Sequence, residues 1–134
     1  MNPFVVIGPA GMVTVGILSI VYWRRRSGVP EKFFFLGGCV WLLAVIPKYV
    51  MDLTVTTRLS WWLYNSFGLT WTLALLGVYL GVRTGLLECA TTYLVIEKSD
   101  LGRASFDEVV AFGIGFGATE AIILGLPSLL QMVA

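Results

Sequence analysis

Four runs of apolar residues, each close to the length of a membrane-spanning helix, dominate the sequence. A helix needs about 20 consecutive apolar residues to cross the hydrocarbon core of a bilayer. The runs cover residues 4–23, 33–55, 67–96 and 106–126. Because 57% of the residues are hydrophobic and only 13% are charged, the composition is far more apolar than a soluble domain needs. The sequence therefore predicts an all-α, polytopic membrane protein of about four transmembrane helices, folded as a single helical membrane domain over residues 1–134.

The second, third and fourth runs contain, or are followed by, residues that disturb a membrane helix. We expect Pro47 to kink the second helix and the side chain of Lys48 to extend toward the nearer membrane surface. The third run is 30 residues long, which predicts either one tilted helix or a helix broken near Gly85. Pro127 follows the fourth run and is expected to close it.

The basic residues in the connections predict the orientation. Four follow the first run, one lies between the second and third runs, and two follow the third. In chain order they are Arg24, Arg25, Arg26, Lys32, Arg58, Lys98 and Arg103. Since basic connections stay on the cytoplasmic side, the N-terminus is predicted to lie outside, with both basic loops in the cytoplasm. We expect the plasma membrane of a prokaryote.

Composition also narrows the chemistry and the partners. The chain has no histidine, which removes the commonest metal ligand and the usual neutral-pH general base. Cys39 and Cys89 both lie in apolar runs and are interpreted as small core residues. We therefore predict no cofactor and no metal. A formal net charge of +1 does not favour nucleic acid, so the predicted partners are membrane lipid, a membrane peptide or partner helix, and further copies of the chain.

Two rows of small residues recur every fourth position in the third and fourth runs. The rows are Gly77, Gly81, Gly85 and Cys89, and Gly113, Gly117, Ala121 and Gly125. Such a row lets two helix backbones approach closely in lipid. At about 1.5 Å per residue the two rows match in depth. The sequence therefore predicts a closely packed third and fourth helix with a crevice between them, while Gly115 lies off the row.

Three charged residues lie well inside these runs: Arg83, Glu88 and Glu120. Each costs about 2.5 to 3.5 kcal/mol in hydrocarbon on insertion scales, so each must face protein or water. Helical geometry places Glu88 about 40° and Glu120 about 80° from the centres of their rows, so both carboxylates could border the crevice. Two carboxylates in a dry crevice would not both stay ionised, and such a group can act as a general acid or base.

The candidate catalytic residues are accordingly Glu88 and Glu120, and the crevice is predicted to be lined by Arg83, Thr92, Gly113 and Gly117. The alternative interpretation of Thr92 is structural: its hydroxyl would donate a hydrogen bond to the backbone carbonyl one turn back.

Arg83 has several candidate partners. It lies at about the depth of Glu120, but it points about 180° away from its own small-residue row, which argues against that ion pair. The alternatives are an adjacent subunit, a further segment, or Asp52 at the end of the second run.

Two stretches, GLLECATTY at 85–93 and FGIGFGATEAI at 112–122, resemble the core of the CPBP intramembrane proteases. This group contains the CAAX prenyl proteases and bacteriocin-processing enzymes, and the stretches are most similar to its YhfC-type branch. The family carries a Glu-Glu pair with an arginine a few residues on, then Phe-x-x-x-His, and a downstream His-x-x-x-Asn or similar motif. In the YhfC-type branch the second motif reads approximately Gly-x-Gly-His-Gly-x-x-Glu. The matching positions are Glu88, Phe112, Gly113, Gly115, Gly117 and Glu120.

The chain departs from the family pattern where the chemistry is expected. Cys89 stands at the second glutamate, Thr92 or Tyr93 at the arginine, and Phe116 at the histidine, and the downstream motif has no counterpart before Ala134. The resemblance covers nearly the whole chain but only about half of the family's length, which corresponds to its N-terminal half. At about 13 Å deep, residue 116 is level with Glu88, where a histidine could have shared a water with that carboxylate.

The leading functional hypothesis is a divergent or truncated family member without peptidase activity, which binds a membrane peptide or partner helix in the crevice. One alternative is an active glutamate-dependent protease, in which Glu88 and Glu120 together polarise a water. The other is a small subunit of a transporter or membrane complex that uses Arg83 and the glutamates for proton movement or assembly.

Overall fold

Long helices make up almost all of the described chain. The computed structural model describes residues 6–133, without the side chains of residues 100, 132 and 133. The helices are α1 (Ile7–Ser27), α2 (Glu31–Met51), α3 (Thr57–Lys98) and α4 (Phe106–Val133), with a π-helical turn at Asp52–Thr56 and a 3₁₀ turn at Asp100–Arg103. Three helical stretches, Ile7–Ser27, Glu31–Lys98 and Phe106–Gln131, are long and apolar enough to cross a membrane. The prediction of an all-α membrane protein is confirmed, while the count of four spans stays a prediction. Residues 4 and 5, which begin the predicted first run, lie outside the described residues.

Two predicted boundaries are wrong, and one alternative that the sequence left open is resolved. The second and third runs are joined by helix through the π-helical turn, with no loop between them. Of the two alternatives for the third run, the structure shows one helix that continues through Gly85, and the non-helical backbone within α3 lies at Gly68, where φ is 74° and ψ is 178°. Only glycine adopts these angles readily, because it has no Cβ. Helix α4 continues through Pro127, since a proline inside a membrane helix is tolerated when the freed backbone groups find other partners.

The chain divides into two compact units. Unit 1 comprises Met1–Trp41 and Ile96–Ala134, and unit 2 comprises Leu42–Val95. The predicted pairing of the two small-residue rows joins residues of different units and stays a prediction.

In unit 1, α1 and α4 pack as antiparallel neighbours. A Cβ added at Gly16 would lie 3.3 Å from the carbonyl oxygen of Ala118, and one added at Gly125 would lie 3.1 Å from that of Pro9. The contact moves toward the end of α4 as it moves toward the start of α1. Small residues at both points let the two backbones approach closely.

The first part of α2 packs parallel to α4 in the same unit. A Cβ at Gly115 would collide with the backbone of Phe34, and one at Gly38 would lie 2.5 Å from the side-chain oxygen of Thr119. From the first contact to the second, the residue number increases by four on both helices, which shows that the two helices run parallel. Gly115 was predicted to lie off the packing row of small residues. The structure shows it as a close contact point of α4 with α2, because nothing larger than hydrogen fits there.

Unit 2 is a helical hairpin that folds back at Gly68. Three polar pairs join its two sides. They are Lys48 with Glu88, Asp52 with Arg83, and Thr56 with Tyr79. The midpoint of each pair lies within one residue of Gly68, so the two sides run antiparallel in a constant register. The break at Gly68 therefore determines which charged residues meet.

Candidate functional site

The first charged pair in unit 2 joins Lys48 of α2 to Glu88 of α3. The ammonium of Lys48 donates to Oε1 of Glu88 and forms an ion pair with it. The two side chains are only 14% and 25% exposed. The prediction that Lys48 extends to the membrane surface is therefore wrong. Its charge is neutralised locally, because pairing with a carboxylate offsets the cost of holding an ammonium within an apolar helix.

The second pair joins Arg83 of α3 to Asp52 in the π-helical turn. Nη1 of Arg83 donates to Oδ1 of Asp52 and Nη2 to Oδ2 at 3.4 Å, while Nη1 also donates to the hydroxyl of Thr56 at 3.0 Å. The guanidinium lies 5.7 Å from the ring centre of Tyr79, in range of a cation–π interaction. Of the partners considered for Arg83, the structure selects Asp52.

Together these four residues form what we call the ion-pair ladder: Lys48, Asp52, Arg83 and Glu88. Two cations and two anions leave it with no net charge. The sequence contains a signal for it. Lys48 and Asp52 are four residues apart, so they share one helix face, and Arg83 and Glu88 follow in the order that brings opposite charges together in an antiparallel hairpin. Sequence reasoning missed Lys48 because it treated each charge alone.

An apolar groove of about 530 Å³ runs along unit 2 beside the ladder. We call it the hairpin groove; its lining residues are Met51, Leu75, Val78, Tyr79, Val82, Arg83, Leu86 and Leu87. Nε of Arg83 is buried and has no hydrogen-bond partner among the described residues. A buried donor without an acceptor costs about 1 to 3 kcal/mol, so this N–H is a point at which a bound acceptor would be favoured.

The other predicted site residues are distributed over the two units. Thr92 is half-buried on the unit 2 part of α3, whereas Phe116 and Glu120 are half-buried on α4 of unit 1. Glu120 has no ion-pair or hydrogen-bond partner among residues 6–133. Within unit 1, a Cβ at Gly113 or Gly117 would meet no atom within 4 Å. A joint site of Glu88 with Glu120 stays a prediction.

These features define a class: an α-helical membrane protein whose intramembrane charges in one hairpin are paired with each other. Residues 11–134 match the YhfC intramembrane metalloprotease family, and the chain belongs to that family. The predicted resemblance is confirmed at this level, while the wider CPBP grouping and a divergent or truncated form stay predictions. No curated protein and no solved structure matches the chain.

The family's description implies a metal ion, and the described residues do not fit one. Within the described part of the chain, no three side chains of His, Cys, Asp or Glu come together. The sequence holds no histidine. Glu88, at the position of the family's first glutamate, forms an ion pair with the ammonium of Lys48. A metal ion bound by Glu88 would lie beside this positive charge and be repelled by it. We therefore derive no chemistry through a metal in this chain.

Proposed function

We propose that this chain is a non-hydrolytic member of the YhfC family that binds a membrane-embedded peptide or partner helix in the hairpin groove. The single observation that carries the proposal is the ion pair between Lys48 and Glu88. A carboxylate that activates water must direct an oxygen at that water, and a bound ammonium competes with the water for it. In this chain Oε1 of the family's glutamate is bound to a lysine of the neighbouring helix, and we assign the glutamate a structural function.

Phe116 supports the same conclusion from the other side of the family motif. It stands where the resemblance implies a histidine, and a phenyl ring neither accepts a proton nor binds a metal. A scaffold that keeps its helices, but whose first family glutamate is paired with a lysine and whose histidine position holds a phenylalanine, retains the means to hold a peptide better than the means to cleave it.

The hairpin groove has the shape and chemistry expected of a helix-binding surface. Val78, Val82 and Leu86 are exposed and recur every four residues, so they form one stripe along α3. Arg83 lies 15 residues from Gly68 and 15 from Lys98, or about 22 Å from each end of that helix. This depth is far from the lipid ester groups at the interface, which favours a peptide carbonyl as the acceptor for Nε.

The proposed ligand therefore offers a free backbone carbonyl in the middle of the membrane. An intact helix has none, because each interior carbonyl accepts from the amide four residues on. A proline frees one carbonyl, since it lacks the amide hydrogen. We expect membrane peptides with a central proline to bind more tightly than the same peptides with alanine, after a small rotation of the Arg83 side chain.

Photo-crosslinking tests this assignment. A photoreactive residue replaces Leu86, which lines the hairpin groove and is 66% exposed, or Leu73, which is 63% exposed on another face of α3. We expect crosslinks to a proline-containing membrane peptide from position 86 and few from position 73. Equal crosslinking from both positions, or no preference for proline over alanine, would overturn the proposed site.

The orientation is also a proposal, with the N-terminus outside and the basic connections in the cytoplasm. It is supported within unit 1, where Lys32 and Phe33 line a pocket with Ser99 and Leu101. The two connections that carry most of the basic residues are therefore neighbours. Labelling of a cysteine introduced at position 28 from the cytoplasmic side only is expected, whereas labelling from outside contradicts the orientation.

A further inference from the structure

A second groove lies on α1, in unit 1, and is unrelated to the hairpin groove. It is a shallow, open depression of about 740 Å³ lined by residues of α1, and we call it the α1 groove. Val15, Leu18 and Val21 supply its apolar part, and Arg25 and Arg26 supply its end. It lies off the α1 surface that contacts α4, where Gly16 is buried. The groove is therefore open to whatever surrounds the helix.

The length of the α1 groove corresponds to one leaflet of a bilayer. Ten residues separate Val15 from Arg25, which is about 15 Å along the helix, or half of the roughly 30 Å hydrocarbon core. A partner helix that crosses the membrane would extend well beyond a surface of this length. One acyl chain would match it.

The end of the α1 groove carries two arginines that form no ion pair among the described residues, although Asp107 of α4 lies near enough to interact with the charge of Arg26. Nη1 of Arg26 donates to the hydroxyl of Tyr22 at 2.9 Å, which fixes the guanidinium at the rim and leaves its other donors free. Arg25 has no ion pair or hydrogen bond among residues 6–133. Arg24 differs, since it forms an ion pair with Glu31. Two of the three consecutive arginines are thus available, and they are the two that line the groove.

We propose that the α1 groove binds an anionic phospholipid, with its phosphate on Arg25 and Arg26 and one acyl chain along Val15, Leu18 and Val21. Guanidinium groups bind phosphate oxygens through pairs of hydrogen bonds, and a basic cluster next to a membrane helix favours anionic headgroups. The aliphatic side chains of the groove account for binding of the acyl chain, and the two arginines without ion pairs account for binding of the headgroup. This site is independent of peptide binding.

Native mass spectrometry of the purified full chain with phosphatidylglycerol or phosphatidylcholine tests the site. We expect one retained phosphatidylglycerol and little phosphatidylcholine. Arg25→Gln should weaken retention about fivefold, which is the typical contribution of one basic residue near an anionic surface. Arg24→Gln is the matched control, because it removes the same charge one residue away from an arginine that is already paired. It should leave retention within about twofold.

A second variant tests the apolar part and separates the site from a general charge effect. Leu18→Trp leaves both arginines in place and fills the groove, so it should also reduce phosphatidylglycerol retention. Equal losses in Arg24→Gln and Arg25→Gln, equal retention of the two lipids, or full retention by Leu18→Trp would each overturn the proposal. Dimers that form in place of lipid adducts, and that Arg25→Gln abolishes, would assign the groove to a second copy of the chain and overturn it too.

Discussion

Breaking the ion pair between Lys48 and Glu88 should destabilise unit 2 strongly, and removing both charges should restore most of the stability. Both side chains are mostly removed from solvent, at 14% and 25% exposure. Loss of one partner of a buried pair costs about 3 to 5 kcal/mol, and an unpaired charge at the centre of a membrane helix about 2.5 to 3.5 kcal/mol. The overlap of these ranges gives about 3 kcal/mol for Lys48→Met or Glu88→Leu alone.

The double variant Lys48→Met, Glu88→Leu buries no charge, and replacing a buried pair with apolar side chains of similar size is often neutral. We expect it to lie within about 1 kcal/mol of the original protein, so that the two substitutions couple by at least about 2 kcal/mol. Unfolding by sodium dodecyl sulfate in mixed micelles, followed by tryptophan fluorescence, measures these free energies. Additive single and double values would refute the pairing, as would single variants that cost nothing.

Three further predictions concern the rest of the fold and use the same titration. Asp52→Asn and Arg83→Met should each cost about 3 kcal/mol, because each leaves the charge of the other residue unpaired in the middle of the membrane; a variant that costs nothing would contradict this pairing. Gly115→Ala should destabilise by about 2 kcal/mol through collision with the backbone of α2, whereas Gly113→Ala, in open space within unit 1, should be neutral or stabilising by up to about 1 kcal/mol; the reverse order would refute the α2–α4 contact. Gly68→Ala should cost about 1 to 3 kcal/mol because φ is 74° there, and a neutral effect would rule out the break.

The class of fold could be predicted from the sequence because it depends on the summed hydrophobicity of many residues. Four long apolar runs leave few architectures other than membrane helices, and the structure confirms this. The boundaries could not be predicted in the same way. The helix breaks at Gly68 but continues through Pro127. Either glycine or proline is compatible with a break or with a continuous membrane helix. The residue type alone does not distinguish the two outcomes.

The candidate site was predictable residue by residue but not pair by pair. Glu88 and Arg83 were identified from the cost of an intramembrane charge, and Asp52 was among the alternatives for Arg83. The partner of Glu88 was missed, because Lys48 near a helix end is equally consistent with extension to the surface. The register of the hairpin decides this, and the register depends on where the chain turns. The contact of Gly115 was not predicted for a related reason, since the close approach comes from α2, which is distant in the sequence.

Hydrolysis of a membrane peptide tests the central claim most directly. The purified chain is placed in liposomes with a fluorescence-quenched membrane peptide that carries a central proline, with and without added zinc, beside the Glu88→Gln variant. We predict binding without cleavage, and no difference in hydrolysis between the original chain and Glu88→Gln. Cleavage by the original chain that Glu88→Gln abolishes would contradict the account, because Glu88 would then activate water and not serve as the partner of Lys48.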